Sequence, residues 1–192
     1  VDDDLMKECK QGNFHPRRFL MNISAVYRSR PDVLKFTQEF IDMAKSGSGE
    51  RGIINLVAAR KRALKRRDKS KISLVNPCAE VALRADGQFC NLTEVVIRDT
   101  DDFDIVQDKV KTAVWLGCCQ ASFTYFPNLR DSWTENCEEE RLLGVSLTGH
   151  CDNKEIITPE ALKYWKKTTK KTNKHACEIL GINESASIAC VK

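Results

Sequence analysis

At 192 residues, with 42% hydrophobic and 30% charged side chains, the chain has the size and composition of an ordinary globular domain. No apolar run approaches a membrane span and no signal-peptide pattern opens the sequence, so no membrane association is expected. Nine cysteines form an odd set without framework spacing, which points to reduced thiols in the cytoplasm rather than a disulfide scaffold. With no Cys-x-x-C and only three histidines, His15, His150 and His175, no metal centre is expected. The net charge of +4 conceals a local excess: residues 60–71 hold eight Lys/Arg against one Asp, which leaves −3 for the remainder. That run has no interleaved aromatics, so it reads as a solvated helix end or loop and no nucleic-acid partner is assigned to it.

Taken in order, residues 1–20 read as a helix fragment and a loop, and the start at Val1 rather than methionine reads as that of an internal piece. Phe19 to Tyr27 reads as a buried strand leading into a turn. Ser24 there offers a hydroxyl, either to a local turn or to a phosphate or ribose. Pro31 at a first helical position, followed by Leu34, Phe36, Phe40, Ile41 and Ala44, predicts an amphipathic helix closed by Gly47. A glycine-rich loop, 46–52, lacks the Lys-Ser/Thr ending of a phosphate-binding P-loop. Ile53 to Val57 follows as a buried strand.

The chemically distinctive stretch is 72–92. At its centre stands Asn76-Pro77-Cys78-Ala79-Glu80. Proline disfavours the right-handed helical region in the residue before it, so Asn76 begins a turn or an extended segment. In an extended segment Asn76, Cys78 and Glu80 would share one face, flanked by the β-branched Val75 and Val81. A nucleophilic thiolate wants a cationic neighbour. Here the neighbour is a carboxylate, and a buried thiol beside it stays protonated. A neutral thiol is a poor nucleophile but a competent hydrogen-atom donor, and Glu80 is then free to act as a general base with Asn76 orienting it. Cys90 supplies a second thiol twelve residues on.

Beyond it, Asp99 to Asp102 gathers acids where a helix N-terminus favours them, and an apolar stripe from Ile105 to Ala121 predicts a helix to about Thr124. Ile105, Val106, Val110, Ala113, Val114, Leu116 and Gly117 belong to that stripe. The vicinal Cys118 and Cys119 point different ways on such a helix and favour core packing over a disulfide. Residues 128–140 are polar, with Trp133 as an anchor. Leu142 to Gly149 is short and apolar, ambiguous between strand and buried helix. Thr158-Pro159-Glu160 opens a helix running to Leu180, with Gly181 as its stop. Its buried stripe would be Leu162, Trp165, Thr169, Ala176, Ile179 and Leu180, opposite a lysine-rich face. A strand from Ser185 closes the sequence.

The order NPCAE, then Phe89-Cys90-Asn91-Leu92-Thr93-Glu94-Val95, resembles the active-site segment of ribonucleotide reductases, most nearly the adenosylcobalamin-dependent (class II) branch. Further likenesses follow in order. Asn22, Ser24, Ala25, Val26 and Tyr27 match a family segment from which Met21 and Ile23 depart, and the order Ser-Gly-x-Gly-Glu-Arg-Gly at 46–52 and Leu142 to Gly149 also resemble it. The resemblance implies a place in a ten-stranded α/β barrel, with 72–92 as the finger loop and Cys78 at its tip as the thiyl-radical position. It implies Glu80 as base on the substrate 3′-hydroxyl, Asn76 and Ser24 as substrate contacts, and Cys90 as one of two reducing thiols. Adenosylcobalamin is the implied cofactor, a ribonucleoside di- or triphosphate the substrate, and thioredoxin or glutaredoxin the reductant. On this reading residues 1–192 are an internal part of the catalytic barrel, inactive alone. An oxygen-dependent (class I) large subunit is the nearest rival, although it usually has leucine where Pro77 stands. A basic nucleic-acid module and a cysteine-rich metal domain are more distant ones. Alternating strand and helix signals independently favour an α/β fold.

Overall fold

The computed structural model describes residue 9 and residues 16–47 and 51–189. His15, the loop positions Ser48 to Glu50 and the end of the chain from Cys190 to Lys192 lie outside the described residues. The chain divides into two compact units, Val1–Ala63 and Leu64–Lys192.

In the first unit a short 3-10 turn, Pro16–Leu20, precedes β1 (Ser24–Tyr27), α1 (Val33–Ser46), β2 (Gly52–Asn55) and α2 (Leu56–Arg62). β1 and β2 pair in parallel, Ser24 opposite Gly52 and Tyr27 opposite Asn55. The strand expected from Phe19 is thus shorter, and Leu20 and Met21 are exposed. Helix α1 starts two residues beyond the position that Pro31 predicted. Asp32 is the cap, its Oδ1 accepting from the Leu34 and Lys35 N–H groups at 3.0 and 3.3 Å. Gly47, at φ 66°, closes the helix in the left-handed conformation that glycine tolerates best. The second strand ends at Asn55 rather than Val57, because the Asn55 side chain turns to accept the Ala58 N–H at 3.0 Å and caps α2. Ala25, Tyr27 and Leu56 are buried, and Phe36 meets Tyr27 edge-on at 5.5 Å between ring centroids. Of the expected apolar stripe, however, Leu34, Phe40 and Ile41 are exposed.

The second unit opens with an antiparallel hairpin of β3 (Ile72–Val75) and β4 (Ala82–Arg84). A parallel three-stranded sheet follows, β5 (Asn91–Val96), β6 (Leu143–Thr148) and β7 (Ile188–Ala189), in that spatial order. Helices α3 (Phe103–Ser122) and α4 (Asp131–Glu140) connect β5 to β6, and α5 (Pro159–Leu180) connects β6 to β7. Parallel strands need such crossovers, and helices then cover the sheet. The ambiguous run 142–149 is therefore the central strand, bonded on both sides and buried from Leu143 to Leu147, which explains why it reads as continuously apolar.

Asp102 caps α3 through the Ile105 N–H at 2.8 Å, and Thr158 caps α5 through the Ala161 N–H at 3.1 Å. The core joins Val95, Ile97, Val106, Val110, Val114 and Leu143 to Val145, Leu147 and Trp165. Cys118 is buried and Cys119 exposed, as adjacent positions on a helix require. Four residues of the expected stripes face solvent instead: Ile105 and Leu116 on α3, Leu162 and Ile179 on α5. Asn173 takes an inward place on α5, donating through Nδ2 to Cys118 Sγ at 3.2 Å and accepting the Ser185 N–H at 3.1 Å. The protein is a mixed α/β chain whose described strands lie in three small sheets, none closed into a barrel. No helix among the described residues is long and apolar enough to cross a membrane.

Candidate functional site

The hairpin that carries Cys78 stands on a buried charge network. Arg67 donates through Nε and Nη2 to the two carboxylate oxygens of Glu140 at 3.0 and 2.9 Å. Arg84, on β4, sits within 3.2 Å of the same carboxylate and donates through Nη1 to Asn136 and Glu139, each at 2.7 Å. Gln88 donates from Nε2 to Glu140 at 2.7 Å and accepts the Arg84 backbone N–H at 3.1 Å. Burial acts to raise the Glu140 carboxyl pKa. The hydrogen bonds from Arg67 and Gln88 and the charges of both arginines outweigh it and hold the group below its usual range. Helix α4 supplies Asn136, Glu139 and Glu140, and its Trp133 lies so close over Gly87 that a Cβ there would fall 2.4 Å from the indole. Glycine at 87, at φ 117°, is therefore required both for conformation and for space.

Upon this base the tip turns sharply. The Asn76 N–H donates to the Val81 carbonyl at 3.0 Å and the Ala79 N–H to the Asn76 carbonyl at 2.9 Å. The Val81 N–H donates to Asn76 Oδ1 at 3.0 Å. Ala79 adopts φ 63°, a left-handed conformation that a residue with a Cβ adopts at a cost of roughly 1–2 kcal/mol. Asn76 to Glu80 is thus a hairpin turn and not an extended segment, so the alternation expected to set Asn76, Cys78 and Glu80 on one face does not apply. The physical reason is Asn76 itself, whose side chain closes the loop by accepting the N–H of Val81, five residues on, which an extended strand would not allow. With its Oδ1 occupied, Asn76 can offer a ligand its amide NH₂.

Cys78 stands exposed at the turn, so the burial expected to keep it protonated is absent there. The thiol that meets that condition is Cys90. Burial first and the Glu80 charge second push it up to about 12, against a smaller opposing pull from Arg67. Both carboxylate oxygens of Glu80 are buried without a hydrogen-bond partner. An unpartnered buried carboxylate is costly, and one in a folded protein calls for an explanation. Val81, directly after it, packs with Leu142, Ala186 and Cys90 where β6 and β7 begin. The hairpin therefore brings Asn76, Cys78 and Glu80 into one turn, with Cys90 within the electrostatic reach of Glu80. Ser24 lies in the other unit, on β1, its Oγ 2.9 Å from where a Cβ on Gly52 would stand.

His150 and Cys151 are exposed, and no group of three or more His, Cys, Asp or Glu side chains that could hold a metal occurs among the described residues. Two members of the basic run are structural: Arg67 in its pair with Glu140, and Arg66, which donates to the carbonyls of Glu139 (2.9 Å) and Glu184. Sequence reasoning passed over Arg67, Arg84, Gln88 and Glu140 as supports of the site. The one available signal was an isolated Arg84 in an otherwise apolar strand. No protein-family model, curated protein or solved structure matches the chain.

Proposed function

We propose that the chain carries the radical-bearing segment of a ribonucleotide reductase, of the adenosylcobalamin-dependent type that Pro77 and the flanking sequence resemble. The observation that carries the reading is the unpartnered Glu80 carboxylate, set between an exposed thiol two residues before it and a second, protonated thiol at Cys90.

On this reading a thiyl at Cys78 takes the 3′-hydrogen of a ribonucleotide while Glu80 accepts the proton of the 3′-hydroxyl. Asn76 donates its amide NH₂ to the substrate. The 2′-hydroxyl leaves as water, and Cys90 with a second thiol supplies two electrons and two protons, ending as a disulfide that thioredoxin or glutaredoxin reduces. Protonation suits Cys90 to that role, since it must deliver hydrogen and not act as a thiolate nucleophile.

When bound, adenosylcobalamin would supply the radical that removes the hydrogen atom of the Cys78 thiol, which is exposed with Pro77 and Ala79 at the tip of the turn. In the full-length gene product, supplied with adenosylcobalamin, a dithiol and ribonucleoside di- or triphosphate, deoxyribonucleotide should form. Cys78→Ala should abolish it, and Cys90→Ser should restrict it to less than one equivalent per chain. Sustained turnover by either variant would overturn the assignment.

A further inference from the structure

Helix α5 gathers its charge on the side that it does not bury. Its buried positions include Ala161, Trp165, Thr169, Asn173 and Ala176. At 3.6 residues per turn, Lys163, Lys167, Lys170, Lys171 and Lys174 fall within about 100° of arc, largely on the other side, and all five are exposed. The band runs about 17 Å along the helix at 1.5 Å per residue. Glu160 and Glu178 bracket it, and the helix has no acidic residue between them. Among the described residues no carboxylate forms an ion pair with any of the five lysines. Like charges four residues apart on a helix repel, and Lys163 with Lys167, Lys167 with Lys171, and Lys170 with Lys174 are three such pairs. The helix thus keeps a band of like charge that weakens it and that no described side chain neutralises. The basic run 60–71 differs, because Glu140 occupies Arg67 and the carbonyls of Glu139 and Glu184 occupy Arg66.

We propose that this face of α5 docks on the phosphate backbone of duplex nucleic acid without reading its sequence. Charge complementarity selects a polyanion, and the length of the band matches about five nucleotide steps of one strand at 3.4 Å each. Lysine favours phosphate over carboxylate here. Where the chain meets the buried carboxylates of Glu39 and Glu140 it uses the planar fork of an arginine, Arg51 on the first and Arg67 on the second. The band holds no arginine, and its ammonium groups act as point charges on flexible stems that can follow phosphates in varied positions. Within the arc there is also no Arg, Asn or Gln to read a base edge and no ring on which an unpaired base could stack. Tyr164, the nearest exposed ring, lies outside it and is engaged with Phe103 at 5.2 Å between centroids. A duplex, whose bases are already stacked, fits such a surface better than a single strand. An anionic lipid surface fits less well, because the arc has no apolar side chain to insert among acyl chains.

A short fluorescently labelled DNA duplex of mixed sequence, titrated with the full chain and followed by anisotropy, tests this. The duplex should bind saturably in 50 mM salt. Between 50 mM and 200 mM salt the affinity should fall roughly 40-fold to 150-fold, the effect of about three to four neutralised phosphates. The triple variant Lys163→Gln, Lys167→Gln and Lys171→Gln, which keeps residues of similar helix propensity, should weaken binding about tenfold or more in 50 mM salt and flatten the salt dependence. Lys61→Gln, Lys65→Gln and Lys69→Gln together remove the same charge from exposed positions elsewhere and should change the affinity by less than about threefold. The Cys78→Ala variant should bind the duplex as the parent does, since this face is independent of the reductase reading. The proposal is overturned by failure to bind the duplex in 50 mM salt, by equal weakening in the two triple variants, by a salt dependence that the first triple variant leaves unchanged, or by tighter binding of the single strand. Saturable binding of polyglutamate or of phosphatidylserine vesicles with none of the duplex would likewise overturn it.

Discussion

Both units contain parallel strands joined through helices, yet they bury those helices to very different extents. In α3 seven residues are buried, all apolar or small, against β5, β6 and α5. In α1 the one buried residue is Glu39, paired with Arg51, while Leu34 is 79% exposed. Both helices carry apolar residues at helical spacing. The difference lies in what each has to pack against: a three-stranded sheet and a second helix in one case, a two-stranded sheet in the other. An amphipathic pattern thus states which face a helix could bury, while the number of neighbouring elements decides how much of it is buried.

The largest effect should come from the charge network, which belongs to the second unit. Glu140→Ala leaves Arg67 and Arg84 buried without their shared partner and should cost about 3–5 kcal/mol, measured by urea unfolding. Because the Glu140 carboxyl is held below its ordinary value of 4.5, its contribution is fully present above that pH. It is lost as pH falls through the lower folded value. The parent protein should therefore lose stability in acid over that window, and Glu140→Gln should flatten the loss.

Core truncation draws the contrast more directly. Leu143→Ala, at a position 1% exposed, should cost about 2–5 kcal/mol. Leu34→Ala on α1 should stay within about 0.5 kcal/mol. Comparable losses at the two sites would show that the first unit buries its helix face after all. Caps should erase the contrast, because they act locally. Thr158→Ala and Asp32→Ala should each cost about 1 kcal/mol in thermal or urea unfolding, irrespective of the unit.

Much of this architecture is legible in the residues. The α5 boundaries follow from Thr158-Pro159 and Gly181, and the α3 stripe from its spacing, since caps and periodicity are local properties. Two kinds of feature are not. Helix α4 reads as merely polar because its inward face is Asn136, Cys137 and Glu140, buried only because Arg67 and Arg84 approach from elsewhere in the chain. Likewise Leu162 and Leu116 are apolar yet exposed, which no count of neighbours along the chain foretells. At the candidate site the residue types are readable but their geometry is not. Asn76 side-chain bonding turns the segment, and burial falls on Cys90 rather than Cys78.

The contrast between those two thiols is also what the functional account rests on. A ribonucleotide carrying tritium at the 3′ carbon, incubated with the full-length gene product, tests it most directly. The account predicts release of tritium to solvent by the parent protein and by Cys90→Ser, and none by Cys78→Ala. Release by Cys78→Ala at the parental rate would contradict it.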